Sequence, residues 1–183
     1  MRIFLALLNT LILSACGTYV KVVEMDSVTG YFPSDVKATV VKTVDTDLDT
    51  MKNLILVSDI DFTGEMVRNI DYFDKVINYD DLEKILVQEG LTDQISSLEN
   101  KIGINKAAKA YKHFLWLRWK IRKEEDNKKY SQLILTDPIT LEDIFICETY
   151  LDYVWSGISD QANFYPMMNA LVDYIRANSA SYQ

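Results

Sequence analysis

The chain has 183 residues and a composition ordinary for a folded protein, 49% hydrophobic and 25% charged with six glycines and three prolines. This excludes disorder throughout and gives length enough for one domain with its own core. The formal net charge of −8 excludes a general nucleic-acid binder, because phosphate backbones reward a basic surface.

The first twenty residues, "MRIFLALLNTLILSACGTYV", carry Arg2 as a short positive region, an apolar stretch from Ile3 to Leu13 broken at Asn9 and Thr10, and then Leu13-Ser14-Ala15-Cys16. The apolar run is shorter than the ~20 residues a transmembrane helix needs and is read as a cleaved signal covering residues 1–15. The tetrapeptide "LSAC" resembles the lipobox of bacterial lipoproteins. That resemblance implies diacylglycerylation of Cys16, which becomes the mature N-terminus, and attachment to the membrane without a spanning helix. It also implies outer-membrane sorting on the periplasmic side, since Gly17 rather than aspartate follows the cysteine.

Residues 16–35 are read as the lipidated N-terminus and a tether, which fully extended would reach about 60 Å and as a coil about 25 Å. A single α/β domain is expected over 36–178, with a flexible tail at 179–183. "VKATVVKTV" predicts an edge strand, and "DTDLDT" a solvated turn: Asp45, Asp47 and Asp49 are spaced like calcium ligands, but the loop lacks its glycine and closing glutamate. Leu54–Val57 predicts a short buried strand, the segment from Thr63 to Ile70 a short helix, and "YFDKVI" a second strand.

"NYDDLEKILVQEG" predicts a helix capped by Asp80, with Leu82, Ile85 and Leu86 on one face and Gly90 past its end. A second helix is expected to start at Thr92 and stop at Gly103, and a third to span "NKAAKAY". "KHFLWLRWKIRKEEDNKKYSQLILTD" predicts a hairpin with the turn at "KEEDNKK", followed by a tight turn at "DPIT". Residues 140–156 fit either a strand through Ile144–Glu148 or a helix ending at Gly157; the run of large apolar residues favours the strand. The last element is a helix with Pro166 in its first turn and Phe164, Met167, Met168, Leu171, Tyr174 and Ile175 on one face.

Two constellations carry chemistry. In "NLILVSDIDFTG" an apolar strand leads into Asp59-x-Asp61-x-Thr63, which resembles the first motif of haloacid-dehalogenase phosphatases. The resemblance implies Asp59 as nucleophile, Asp61 as acid, Thr63 as phosphate ligand, and magnesium held by the carboxylates. The glycine that usually precedes the threonine is Phe62 here, and the adjacent acidic pair Asp80-Asp81 comes about one βα unit too early for the family's later acidic motif. The competing reading is a strand that delivers a carboxylate to cap a helix. The second constellation is the stripe Phe114, Trp116, Arg118, Lys120 and Arg122 on one face of a strand. It is a candidate surface for a partner or an anionic envelope polymer, or else an aromatic pair under a helix with cations surfacing at the strand end. His113 is expected at a core edge and Cys147 as a buried thiol without a partner.

No His/Cys metal cluster, P-loop, nucleophile elbow or dinucleotide fingerprint is present, so no resident cofactor is expected. The order strand, helix, strand, helices, meander, helix resembles the α/β domain at the N-terminus of TolB and related envelope accessory lipoproteins. That implies a mostly mixed sheet with helices packed on it, and a non-enzymatic adaptor or assembly factor working through an envelope protein partner or as a homo-oligomer.

Overall fold

In a computed structural model, residues 21–95, 97–151 and 160–182 are described. The signal segment, Cys16 and Gly17 lie outside the described residues, as does Gly157, the end of the alternative helix. The described chain builds one mixed six-stranded sheet with four helices packed on it, in strand order β1-β6-β5-β4-β2-β3. The strands are β1 (Thr39–Thr43), β2 (Ile55–Leu56), β3 (Val76–Ile77), β4 (Leu115–Lys123), β5 (Lys129–Asp137) and β6 (Glu142–Tyr150). The helices are α1 (Glu65–Ile70), α2 (Tyr79–Gln88), α3 (Lys101–Ala110) and α4 (Tyr165–Asn178).

Strand β2 pairs in parallel with β3 and β4, whereas β4, β5, β6 and β1 are successively antiparallel. β4 is therefore the seam between a β-α-β half and a meander, and its side chains alternate between two cores. Leu115 and Leu117 join Ile55, Val57, Leu133, Leu135, Phe145 and Cys147 under α1 and α4. Phe114 and Trp116 join Leu54, Leu56 and Ile77 under α2 and α3. Strands this short exist because both faces are buried: Ile55 and Leu56 are fully covered, and a two-sided apolar strand stays put without a long ladder.

Residues 142–150 adopt the strand, with Ile144, Phe145 and Cys147 all buried. Other expectations need correction. The cap of α2 is Asn78, whose side-chain Oδ1 accepts from the Asp81 N–H, not Asp80, because the chain is already helical at Tyr79. The helix expected from Thr92 is only a single turn, Thr92–Gln94, and Gly103 ends nothing. It lies in the first turn of α3, where Asn100 caps its N–H at 2.9 Å. A Cβ on Gly103 would sit 1.6 Å from the Ser97 carbonyl oxygen, so the glycine is there to let that carbonyl lie against the helix.

The expected tether is also corrected over its described part. Phe32 is 2% exposed in the larger core, and its N–H and C=O bond the Asn169 side chain of α4. Asn69 of α1 donates to the Val23 carbonyl, so the stretch from Lys21 onward is a strap on the domain. The tail is fastened too. Asp49, expected in a solvated turn, accepts from the Ser179 and Ser181 hydroxyls and from the Ala180 and Ser181 N–H groups. The Tyr182 hydroxyl reaches the Ile70 carbonyl at 2.8 Å. These serine bonds, the Ser181 hydroxyl first, hold the Asp49 carboxyl far below its ordinary value.

Phe32→Ala should lower unfolding free energy by about 3 to 5 kcal/mol, as for other buried phenylalanines; urea titration would show instead an unchanged midpoint if the strap were a tether. Gly103→Ala should destabilise the fold by more than the usual helix-propensity gain of about 1 kcal/mol could offset, read as a lower melting temperature.

Candidate functional site

The Asp59–Thr63 segment leaves β2 and winds through one wide turn, Ile60–Gly64, into α1. Asp59 has extended backbone and caps that turn. Its Oδ1 accepts from the Phe62 N–H at 2.9 Å and the Thr63 N–H at 2.8 Å, and its Oδ2 from the Thr63 hydroxyl at 2.5 Å and the Ser58 hydroxyl at 3.1 Å. Thr63 is fully buried, and its Oγ1 also accepts from the Trp119 indole N–H at 2.9 Å. Around this knot Phe62, Trp119 and Phe164 meet edge to face, with centroids 5.3 and 5.4 Å apart. Burial by itself raises the Asp59 carboxyl; the Thr63 hydroxyl, the two N–H groups and Ser58 outweigh it and hold it below the ordinary carboxylate value.

A nucleophile needs a free lone pair directed at open space, and both Asp59 oxygens are committed to the turn. Asp61 is exposed on the outside of that turn. Among the described residues no three His, Cys, Asp or Glu side chains converge as a metal would require, so the donor set around Asp59 and Asp61 does not fit magnesium and no hydrolytic step follows from it.

The second constellation divides at its middle. Phe114 is fully buried and Trp116 is 8% exposed beneath α2, with its indole N–H donating to the Tyr79 hydroxyl at 2.7 Å. Beyond them neither core cluster covers this face of β5 and β6, and long polar side chains lie across the sheet instead. Arg118 stacks on the Trp116 ring at 4.9 Å and bonds Asp143 at 2.7 Å and Thr136 at 3.4 Å. Arg122 lies over Tyr130 at 4.3 Å and forks onto both Glu148 oxygens at 2.9 and 2.7 Å. Gln132, between them, donates to the same carboxylate at 2.8 Å. Tyr130 and Tyr150 pair at 5.5 Å, and Lys120 projects into solvent.

The cations are thus matched by carboxylates from β6, two strands away in the sheet, and the stripe is a nearly neutral ladder. The Arg122 fork pulls the Glu148 carboxyl down against its burial, with Gln132 assisting. For Asp143 burial raises the carboxyl, and the Thr136 hydroxyl, Arg118 and Lys101 more than compensate. The sequence could not show this, because the carboxylates that neutralise the stripe lie 25 and 26 positions further on. An open sheet face carrying tyrosines, Lys120 and hydrogen-bonded carboxylates suits contact with another macromolecule, but without the excess of positive charge that an anionic polymer would need.

His113 bonds Asp137 through Nε2 at 2.8 Å at the mouth of the second turn. Cys147 is buried against the Met167 carbonyl, and burial pushes its thiol well above the usual range, which leaves it unreactive. Two grooves were not anticipated. One of about 670 Å³ lies between α2 and the residues Thr92, Ile95 and Ser97 to Glu99, and one of about 550 Å³ lies between α4 and the strap that runs into β1. The clue to the first was Asn78: as the better-placed cap, it frees Asp80 for the surface.

No family model matches the chain, and no curated protein matches it. Among solved structures, the LpoB C-terminal domain from Salmonella enterica aligns over 66% of this chain and 87% of that one, at 14% identity and a TM-score of 0.33. The PelC dodecamer from Paraburkholderia phytofirmans aligns over 78% of this chain and 98% of that one, at 12% identity and a TM-score of 0.35. At these scores the fold assignment rests on the strand order and pairing described above.

Carboxyl groups held low in the folded state stabilise it above their unfolded values, near pH 4, and that stabilisation is lost as pH falls through the folded values. Unfolding free energy should therefore be flat between neutrality and about pH 5 and drop below about pH 4. Asp59→Ala should cost about 1 to 2 kcal/mol at neutral pH, as for other lost caps, and should flatten the acid limb; an unaltered stability profile in this variant would contradict the capping role.

Proposed function

We propose that the chain is a lipoprotein anchored through Cys16 at the periplasmic face of the outer membrane, acting as a non-enzymatic adaptor or assembly factor. The feature that carries the reading is the apolar run ending in Leu13-Ser14-Ala15-Cys16, and the docking of Lys21 limits how far such an anchor could hold the domain from the membrane. Lys21, only five positions after Cys16 in the sequence, is already docked: its N–H donates to Asp160 and its carbonyl accepts from the Tyr165 hydroxyl at 2.7 Å. Five residues span at most roughly 18 Å, so a lipid on Cys16 holds the domain against the bilayer surface rather than on the long tether that composition alone suggests.

Among the described residues no helix is long and apolar enough to cross a membrane, so in this reading attachment comes from the acyl chains. The sheet face of β4 to β6 supports the adaptor role, because Lys120 and Tyr150 stand exposed on it beside arginines already paired with Asp143 and Glu148. The earlier resemblance to TolB N-terminal-like lipoproteins, drawn from the order of elements, points the same way. A lipidated phosphatase using Asp59, Asp61 and Thr63 is disfavoured by the use of Asp59 as a cap.

Cys16→Ser should move the protein from the outer-membrane fraction to the soluble periplasm and abolish labelling by radioactive palmitate; a wild-type chain that takes no label would overturn the anchor. On the sheet face, Lys120→Glu combined with Tyr150→Ala should abolish crosslinks to an envelope partner at an unchanged melting temperature. Magnesium-dependent hydrolysis of p-nitrophenyl phosphate that disappears in Asp59→Asn would instead restore the phosphatase.

A further inference from the structure

The larger groove has an apolar floor and a rim of one sign. Its floor is made by Leu86 and Ile95, both buried, with Tyr79 and Leu98 half-buried beside them. Along α2 it continues past Val87, which is 60% exposed although it sits on a regular helix. Asp80 and Glu83 stand on the helical ridge on one side, and Glu99 on the loop opposite; all three are exposed. Among the described residues no lysine or arginine lines this groove, and Lys84 in its extension lies 3.7 Å from Asp81.

The second groove makes a useful contrast. Its aspartates are used internally: Asp26 accepts from the Val28 and Thr29 N–H groups, and Asp173 from the Tyr31 hydroxyl at 2.5 Å. Asp80, Glu83 and Glu99 form no ion pair among the described residues. The wall that carries Glu99 is set in advance. Asn100 is bonded to the Gly103 N–H, and Gly103 lets the Ser97 carbonyl approach α3 too closely for any side chain. A preformed apolar trough with unpaired carboxylates on both banks selects its occupant by charge: apolar side chains fill the floor while adjoining cations meet the rim.

We propose that this groove docks a basic segment of a partner protein, in which lysine or arginine residues flank a large apolar side chain. The partner's cations reach Asp80 and Glu83 on one bank and Glu99 on the other, and the apolar residue covers Leu86, Ile95 and Leu98. This surface lies on the side of the sheet covered by α2 and α3, while the strap that leads from the proposed anchor belongs to the core on the opposite side. The docking claim does not depend on lipidation, and its test is made on the purified protein without a membrane.

The test is fluorescence anisotropy on the full chain in detergent, with three labelled peptides of equal length: alternating lysine and leucine, alternating lysine and serine, and alternating glutamate and leucine. The lysine–leucine peptide should bind about tenfold or more tightly than either of the others. Glu83→Lys with Glu99→Lys should lose that binding by about tenfold at an unchanged melting temperature, and Glu83→Gln with Glu99→Gln should lose part of it. Reversal at two distant exposed sites, Asp35→Lys with Glu125→Lys, should leave it within about twofold. The proposal is overturned if the lysine–serine peptide binds equally well, if the distant reversal weakens binding as much as the rim reversal, or if no peptide binds.

Discussion

Strand β4 has to satisfy two different structures at once, and most of the molecule follows from how it does so. One edge is bonded in parallel to β2 and the other antiparallel to β5. Its first half alternates apolar residues into two separate cores, Leu115 and Leu117 to one and Phe114 and Trp116 to the other. Helices are required on both sides there, because large apolar side chains on both faces of a sheet cannot be left in water. Past Leu117 the alternation changes to Arg118, Lys120 and Arg122 on one face, and the helical cover stops with it. The open face is thus a direct consequence of where the apolar pattern on β4 runs out.

The uncovered half is kept orderly by side chains in place of a helix. Arg118 and Arg122 lie flat over aromatic rings, and their charges are met by Asp143 and Glu148 across the sheet. Such pairs add little net stability where they are solvent-exposed. What they provide is a fixed arrangement of donors, acceptors and rings on a surface that would otherwise be a row of long mobile chains. A comparable economy operates elsewhere in the described chain. The strap is pinned by Asn169 and Asn69, and residues 179–181 by Asp49, so both stretches are held to the core that α1 and α4 cover.

Periodicity and turn chemistry made much of this legible in advance. The hairpin faces, the turn at Asp137-Pro138, the strand at residues 142–150 and the closing helix follow from patterns that burial enforces directly. The failures share one cause. Asp49 was read as part of a solvated turn but serves partners far away in sequence, and Phe32 fell inside the expected tether until α4 was packed against it. Gly103 was misread because a glycine that ends a helix and a glycine that admits a neighbouring carbonyl look the same in one dimension. Asp59 had two readings in the sequence, nucleophile and cap, and only the positions of Thr63 and Trp119 separate them.

The central claim is that a folded domain begins almost at once after a lipidated cysteine, so that the protein presents its open sheet face and acidic groove from the membrane surface. The most direct test is the intact mass of the protein extracted from membranes. The account predicts a mature chain beginning at Cys16 and heavier than the polypeptide by a diacylglyceryl group, with or without an added acyl chain. A mature chain of unmodified mass, or one that begins at any other residue, would contradict it.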